Sequence, residues 1–292
     1  MQILDIINCP LCASRFHQRG NSIECSKGHV FDVSKEGYVN LLPPGRAGNS
    51  STGDDKVLIR ARNQFLEKDY YSSISDKIAE VADTLFNGSK ISFCDMGSGV
   101  GYHTCRIAEK YNGDILGIGF DASKYGSYYS CRRAGRKKLL DDGGVISTAG
   151  SSSAVYFVTA NIFRLPVYDH LFDFVLSMFA PIAWNEAFRI LKDDGMIVVV
   201  SSGTKHLDEM RKIIYDNVEY NEKVPEADSR FELLRTDRMQ KRIFLDNNED
   251  IMNLFAMTPF YYKTNQEGKK KLSDINSLGL TIDVNISIFR KR

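Results

Sequence analysis

The sequence predicts an α/β protein built on a doubly wound, mostly parallel sheet, with a small additional domain at its N-terminus. Three observations support this fold. Apolar stretches rich in β-branched residues alternate with helical patterns between residues 91 and 201, as in parallel sheets covered by helices. The first of these stretches runs directly into a glycine-rich turn. Closely spaced cysteines and a histidine precede all of these stretches in the chain.

The bulk properties narrow the class of protein. A chain of 292 residues suffices for one large and one small domain. Its net charge of +1 gives no global basic field that would attract nucleic acid. No apolar run reaches the roughly 18 residues of a membrane span, and the N-terminus lacks the pattern of a secretory signal. We therefore expect no membrane contact and a cytoplasmic location. Local basic clusters at residues 132–138, 269–271 and 290–292 are interpreted as solvated faces or binding sites.

The N-terminal segment has the spacing of a metal site. Cys9 and Cys12 are separated by two residues, and Cys25 and His29 by three. Each pair can form a tight turn that points two ligands at one ion, so the four predict a closed, structural zinc site. The metal would supply much of the folding energy of so short a module. Alternatives are His17 as a ligand, a catalytic cysteine with a histidine, or unrelated residues.

A change of composition marks a domain boundary. Residues 30–42 alternate as a strand does, with Gly37 as a turn. Residues 43–55 are rich in proline, glycine and serine, which is typical of a linker or mobile loop. We therefore divide the chain into a metal-binding module, a linker and a large domain, at residues 1–44, 45–58 and 59–292.

The glycine-rich turn predicts a nucleotide-type cofactor. An apolar strand ends at Asp95, and glycines follow at Gly97, Gly99 and Gly101 before a helix. The dinucleotide-binding fingerprint would need glycine where Tyr102 stands. The observed spacing instead resembles the first motif of class I S-adenosylmethionine (SAM) methyltransferases, in which Asp95 would help hold the cofactor's amino acid part. NAD(P), a flavin, or another α/β protein are the alternatives.

Polar residues follow the next strands. A second strand over 115–121 ends at Asp121, 26 residues after Asp95, which suits a carboxylate that binds a ribose. Asp121 is alternatively a helix N-cap. Asn161 ends a third strand over 155–161 and is placed to face an adenine. Further strands are predicted at 172–178, 196–201, 238–245 and 281–289, and helices at 56–65, 73–86, 124–140, 186–191, 207–218 and 249–257. Residues 141–153 are predicted as a loop and 224–236 as irregular.

The methylation target is not decided by these patterns. The segment after the fourth strand, 177–182, lacks the Asp/Asn-Pro-Pro-Tyr/Phe sequence of exocyclic-amine methyltransferases. None of Cys94, Cys105 and Cys131 stands where a carbon-5 pyrimidine methyltransferase needs its nucleophile. A ring nitrogen, a ribose oxygen, a small molecule and a protein side chain remain open.

Several segments together resemble one family, the RlmA-type 23S rRNA (guanine-N1)-methyltransferases. The similarity spans nearly the whole chain, and its most specific part is the cysteine module followed by Lys-Glu-Gly-Tyr-Val-Asn-Leu-Leu. It is carried by residues 9–12, 25–42, 53–54, 61–66, 71, 164–166, 179–181, 206–207 and 257–260. The chain departs from the family at 125–153, which is longer than usual, and at Ser98, where the family tends to have cysteine.

The resemblance implies a function. It implies a zinc module that recognises rRNA, a SAM-binding domain, N1-methylguanosine in a hairpin loop of 23S rRNA as product, and a homodimer. Cys9, Cys12, Cys25 and His29 match the family's zinc ligands, and Tyr71, His103, Thr104 and His206 match cofactor-contacting positions. The resemblance assigns no general base for guanine N1. Asp32 and Asp173 are candidates for this base, and a structural role is the alternative for each.

Three other functions compete with this interpretation. A methyltransferase for a small molecule or protein would use the zinc module only as structure. A non-catalytic RNA- or SAM-binding module would bind without turnover. An NAD(P) oxidoreductase would bind NAD(P)H in place of SAM.

Overall fold

The computed structural model describes residues 3–43, 56–135, 153–220, 226 and 228–292, and the backbone of 144–146. Most of the predicted linker, part of the 132–138 cluster and most of the predicted loop at 141–153 lie outside these residues. No helix in the described part of the chain is long and apolar enough to cross a bilayer.

A three-stranded antiparallel sheet forms the N-terminal module. A short 3-10 helix, Ile3–Asp5, precedes β1 (Phe16–Arg19), β2 (Ser22–Cys25) and β3 (Val30–Asp32), which pair in that order. The strand pattern predicted over 30–42 is divided into β3 and β4 (Val39–Asn40). The turn between them is held by Ser34, whose Oγ accepts a hydrogen bond from Gly37 N at 3.1 Å.

The large domain is built on a nine-stranded sheet, which confirms the predicted α/β fold. Its order is β11-β12-β10-β9-β5-β6-β8-β4, with β7 paired to β8. The strands are β5 (Ile91–Met96), β6 (Ile115–Asp121), β7 (Gly144–Ile146), β8 (Ser153–Thr159), β9 (Phe172–Met178), β10 (Leu191–Ser202), β11 (Phe231–Leu245) and β12 (Leu278–Lys291). The neighbours from β4 to β10 are parallel, and β11, β12 and β10 close the sheet as the predicted antiparallel edge.

Helices cover both faces of this sheet. They are α1 (Lys56–Leu66), α2 (Ser72–Phe86), α3 (Tyr102–Lys110), α4 (Lys124–Arg133), α5 (Trp184–Ile190), α6 (Asp208–Ile214), α7 (Asn248–Ala256), α8 (Phe260–Lys263) and α9 (Gln266–Ser273). Every residue of β5 is buried, because apolar cores lie on either side of it. Phe93 points to the core that α1, α2 and α3 share, and Cys94 points to the opposite core beside α5.

The N-terminal module packs on the large sheet. Its β4 extends the sheet edge in parallel with β8, and Leu41 N donates to Thr159 O at 2.8 Å. Asn8 N donates to Pro166 O at 2.8 Å, and Ile6 and Ile7 are fully buried in the core that contains α5. The division at residue 44 therefore stays a prediction, since the module and the sheet share one hydrophobic core.

Several predicted boundaries were wrong where pairing between distant segments decides the structure. Residues 231–236 belong to β11 because the whole strand pairs with β12, from Phe231 opposite Lys291 to Leu245 opposite Leu278. Within the predicted loop at 141–153, Gly144–Ile146 forms β7 against β8. Helix α4 ends at Arg133, before residues 136–140, which lie outside the described part, and α6 ends at Ile214. The helices α8 and α9 were not predicted.

Candidate functional site

The glycine-rich turn joins β5 to α3 at the carboxyl edge of the sheet. Gly97, Gly99 and Gly101 have φ values of 91°, 55° and 71°, a region that side chains disfavour. A Cβ on Gly97 would lie 2.9 Å from the Ala180 Cβ. A Cβ on Gly101 would lie 2.7 Å from the Phe157 ring. The turn is therefore restricted to glycine both by its backbone conformation and by its close packing.

Asp121 ties the turn to the next strand and helix. Its Oδ2 accepts a hydrogen bond from Gly99 N at 2.9 Å, and its Oδ1 accepts one from Ser123 N at 2.7 Å. The N-cap of α4 is Ser123, whose Oγ accepts from Gly126 N at 3.2 Å, so the alternative interpretation of Asp121 as the cap was wrong. A carboxylate beside the turn is the type of group that accepts a hydrogen bond from a ligand hydroxyl.

Asp95 lies behind the turn, in β5. It is 3% exposed, and its Oδ2 accepts a hydrogen bond from Thr104 Oγ1 at 2.5 Å. Burial, aided by the negative charge of Asp121, raises the pKa of Asp95 to about 7 despite that hydrogen bond. Because the Thr104 hydroxyl donates its proton to Asp95, the donor that Thr104 can offer a ligand is its main-chain N–H. The first N–H groups of a helix, here those of His103 and Thr104 in α3, have no partner within the helix.

Two half-buried histidines adjoin the turn. His103 Nδ1 lies 2.7 Å from Ser75 Oγ, and burial, together with the neighbouring arginines, lowers its pKa to about 3. His206 Nδ1 accepts a hydrogen bond from Asp283 N at 3.2 Å, and burial lowers its pKa to about 4. Both rings are therefore neutral at pH 7. Since Nδ1 of His206 is the acceptor, its proton is on Nε2.

The turn that carries His206 is fixed by an ion pair between a buried carboxylate and an exposed arginine. Asp283 is fully buried, and both of its oxygens accept hydrogen bonds at 2.8 Å from Arg238. Its Oδ2 also accepts from Lys205 N at 2.8 Å. The ring of Tyr71, which is 2% exposed, packs 6.2 Å from that of His206. Tyr71 and His206 are thus brought together although they lie on distant parts of the chain.

The carboxyl edge of the sheet gathers most of the predicted residues. The order β9-β5-β6-β8 places the segment after Met178, the glycine turn, Asp121 and Asn161 side by side. Asn161 is exposed, and its Oδ1 accepts a hydrogen bond from Phe163 N at 3.0 Å. Its carboxamide NH₂ is on an exposed side chain and has the donors that an adenine would need.

The two candidate general bases do not reach this edge. Asp173 lies at the amino end of β9, where it bonds Ser92 N and Lys192 Nζ at 2.8 Å each. That is the opposite edge of the sheet, so Asp173 is structural and its proposal as a base was wrong. Asp32 lies in the small sheet and accepts a hydrogen bond from Ser22 Oγ at 2.8 Å.

Phe179 and Arg62 adjoin the site without having been predicted. Phe179 directly follows β9 with a φ of 51°, is 46% exposed and packs 5.5 Å from the His206 ring. A bulky residue in this backbone region is a genuine outlier. The guanidinium of Arg62 lies 3.7 Å from where a Cβ on Gly99 would be, over the turn. In the sequence, the signal available for Phe179 was an aromatic residue directly after a predicted strand.

A compact cluster of Cys9, Cys12, Cys25 and His29 lies in the N-terminal module. All of their ligand atoms are within 4.8 Å of one another. The His29 Nδ1 lies 3.5, 3.4 and 3.4 Å from the three Sγ atoms, and the Sγ atoms of Cys12 and Cys25 are 3.7 Å apart. Tetrahedral zinc with Zn–S bonds of about 2.3 Å gives S···S edges of about 3.8 Å and S···N edges of about 3.6 Å. The donor set therefore fits zinc in both chemistry and size.

Local turns bring these four side chains together. Ala13 N donates to Cys9 O at 2.7 Å in the first turn, and Gly28 N donates to Cys25 O at 2.8 Å in the second. Hydrogen bonds from Ser14 lower the pKa of Cys12 to about 6, which favours the thiolate, whereas burial raises that of Cys9 to about 11. His17 lies outside the cluster, with its Nε2 3.7 Å from a Glu24 carboxylate oxygen.

Two family models match the chain. The model described as RlmA, N-terminal, a zinc ribbon, matches residues 7–46, and the model described as methyltransferase domain matches residues 94–199. The first contains the cysteine cluster, and the second begins in β5 and contains the glycine turn. Zinc and SAM are therefore the cofactors of this chain.

Three similar proteins bear the name of one type of methyltransferase. A putative 23S rRNA (guanine-N1)-methyltransferase of Bacillus subtilis is 29% identical, over 98% of this chain and 97% of that protein. The 23S rRNA (guanine-748-N1)-methyltransferase of Streptomyces fradiae is 30% identical, over 71% of this chain and 67% of its own length. A putative 23S rRNA (guanine-N1)-methyltransferase of Micromonospora griseorubida is 29% identical, over 71% and 69%.

The ligand set of the cysteine cluster is tested by single substitutions. We expect Cys12→Ser or His29→Ala to lower bound zinc from about one ion per chain to well below that, because a structural site needs four protein ligands. The midpoint of thermal unfolding should fall as well, since zinc binding contributes to folding. Zinc content by mass spectrometry and unfolding by circular dichroism are the measurements.

His17→Ala is the matched control, because it removes a histidine of the same module that is outside the cluster. Loss of zinc from this variant, or full retention in His29→Ala, would contradict the proposed ligand set.

Proposed function

The chain belongs to the family of SAM-dependent 23S rRNA (guanine-N1)-methyltransferases, and from this membership we propose that it methylates N1 of a guanine in a hairpin loop of 23S rRNA. The observation that carries the proposal is the full-length similarity to a relative of that name, which includes both the zinc ribbon and the methyltransferase domain. The alternatives of a small-molecule or protein methyltransferase and of a non-catalytic module are not favoured by these relatives.

We propose that SAM lies across the glycine turn, where it supplies an electrophilic methyl group on a sulfonium. The groups proposed to hold it are Tyr71, Asp95, Gly97, Gly99, His103, Thr104, Asp121, Asn161 and His206. The position of the Asp121 carboxylate beside the turn supports ribose binding, and the N–H groups at the start of α3 suit an anionic carboxylate. The guanidinium of Arg62 over the turn adds positive charge for the same carboxylate.

The zinc is proposed to be held by Cys9, Cys12, Cys25 and His29 as a closed, structural site. With four protein ligands it has no open position for chemistry. Its role is to fix the N-terminal module, residues 1–44, which we propose as the part that recognises rRNA. Residues 45–58 are proposed as a linker and 59–292 as the methyltransferase domain, active in the cytoplasm as a homodimer.

We propose that Phe179 supports the target base. Guanine N1 must lose its proton and align with the methyl group, which requires the base to be unstacked from the RNA and held in place. The exposed Phe179 ring, backed by His206, offers a flat surface at the carboxyl edge. Aromatic rings in such positions stack unpaired bases. No residue is assigned as the base that removes the N1 proton.

The methyl transfer is tested with 23S rRNA from a strain that lacks this modification. Incubation with the protein and tritium-labelled SAM should transfer one methyl group to a guanine. Reverse transcription should then stop at that nucleotide, because an N1-methyl group blocks base pairing. Absence of labelled rRNA, or a stop outside a hairpin loop, would contradict the proposal.

Replacement of Phe179 tests the base-stacking role. We expect Phe179→Ala to lower kcat/KM for RNA by roughly 5- to 150-fold, since stacking on one aromatic contributes about 1–3 kcal/mol per base. Phe179→Trp should retain most activity, and SAM affinity should stay the same in both. Phe244→Ala is the control, because Phe244 is 63% exposed but lies on β11. If the two alanine variants lower kcat/KM for RNA equally, the assignment of Phe179 as the residue that stacks on the target base is wrong.

The charge of Asp95 makes SAM binding depend on pH. With its pKa at about 7, Asp95 is mostly neutral at pH 6 and loses its attraction for the cofactor's ammonium group. We expect SAM affinity to fall by up to about tenfold from pH 8 to pH 6. The cofactor's own amino group gains protons over this range, so its titration would change affinity in the opposite direction. Calorimetry at several pH values is the measurement.

Two variants identify the group that titrates. Asp95→Asn should bind SAM weakly and without this decline, because it cannot ionise. Thr104→Val removes the hydrogen bond that lowers the Asp95 pKa, so the midpoint of the decline should move to higher pH. A decline that persists unchanged in Asp95→Asn would assign it to another group.

A further inference from the structure

The outer face of α4 combines aromatic and basic side chains. Tyr125 is 37% exposed, and Lys124 and Arg132 are also exposed, while Tyr128 is half-buried. Lys56 from α1 reaches the same place. We refer to these five residues, Lys56, Lys124, Tyr125, Tyr128 and Arg132, as the α4 face.

Small residues on the inner side of α4 bring this face close to the glycine turn. A Cβ on Gly126 would lie 2.5 Å from Gly99 O, so the helix packs directly on the turn. Ser130 Oγ donates to Gly99 O at 3.1 Å, and Ser127 Oγ bonds Thr159 Oγ1 at 2.8 Å. The α4 face is therefore separated from the turn by about one helix diameter, roughly 10 Å.

The positive charges of the face are held around its tyrosine rings. The Lys56 and Lys124 ammonium groups lie 5.8 and 5.4 Å from the centre of the Tyr125 ring. The Arg132 guanidinium lies 5.5 Å from the Tyr128 ring and donates to the Tyr128 hydroxyl at 2.7 Å. Within the described part of the chain none of these three cations forms an ion pair with a carboxylate. Glu36 is the acidic residue whose charge acts on Arg132.

A polar cleft adjoins the face between α1 and α4. It has a volume of about 350 Å³ and is lined by Asn63, Glu67, Tyr129, Arg132 and Arg133. Arg133 is already engaged, since its guanidinium donates to Asn63 Oδ1 at 3.0 Å and lies 3.9 Å from Glu67. Arg132 is thus the cation that the cleft and the face share.

We propose that the α4 face binds the sugar–phosphate backbone and an unpaired base of the substrate RNA, next to the target nucleotide. Cations without carboxylate partners are suited to phosphates, and exposed rings flanked by cations are suited to stacking of unpaired bases. The position beside the glycine turn places this contact near the site of methyl transfer. The inference rests on the proposed function and adds a second RNA contact to the zinc module.

Charge reversal on the face tests the phosphate contacts. We expect Lys124→Glu/Arg132→Glu to raise KM for an rRNA fragment at least tenfold, with kcat at saturating RNA and SAM affinity within twofold of wild type. The slope of log binding constant against log salt should become less steep by about 1.4, which is two phosphates at about 0.7 each. Lys263→Glu/Lys270→Glu makes the same change of charge on α8 and α9 and is the control.

The aromatic contribution is separated by a second pair of substitutions. Tyr125→Ala/Tyr128→Ala should weaken RNA binding roughly 5- to 150-fold per lost base stack without altering the salt slope, because no charge is removed. The unfolding midpoint of each variant shows whether it is folded.

The outcomes distinguish this inference from the function on which it rests. If wild type does not methylate rRNA, the proposed function fails. If wild type is active and the charge reversal on α4 changes KM and salt slope no more than the control does, the α4 face is not an RNA contact. Binding of a protein partner to the face, with unchanged RNA affinity, would overturn the inference in the same way.

Discussion

The close packing of backbone around the glycine turn is the constraint on which the rest of the site depends. The turn donates hydrogen bonds from Gly97 N and Ser98 N to Phe120 O at 2.8 and 3.0 Å, which fixes it to the end of β6. On its other side, α4 packs against Gly99 O without room for a side chain on Gly126. A turn held from both sides has little conformational freedom to lose when a ligand binds beside it.

Three titratable groups beside this turn are neutral or partly neutral near pH 7, and the physical reason is burial. His103 and His206 are uncharged because burial penalises an imidazolium, and Asp95 titrates near neutrality for the corresponding reason. Asp283, which is buried and paired with Arg238, holds the His206 turn in place through its hydrogen bond from Lys205 N.

The N-terminal module and the large domain pack against each other and share a hydrophobic core. Strand β4 adds to the sheet at β8, and Tyr38 from the same module packs against the core to which Cys131 of α4 belongs. The N-terminal module and α4 therefore border the same core. This contact supports the proposal that one RNA binds to both.

The sequence by itself determined the α/β fold, the glycine turn and the cysteine module, because these depend on local spacing and on periodic apolar residues. Cys9, Cys12, Cys25 and His29 could be grouped from spacing alone, since each pair forms its own turn. Phe179 and the partnership of Tyr71 with His206 could not be found in this way, because they come from segments that meet only when the sheet is formed. The first part of β11, residues 231–236, was missed for the same reason. Its charged sequence carries no strand pattern, and only pairing with β12 makes it part of a strand.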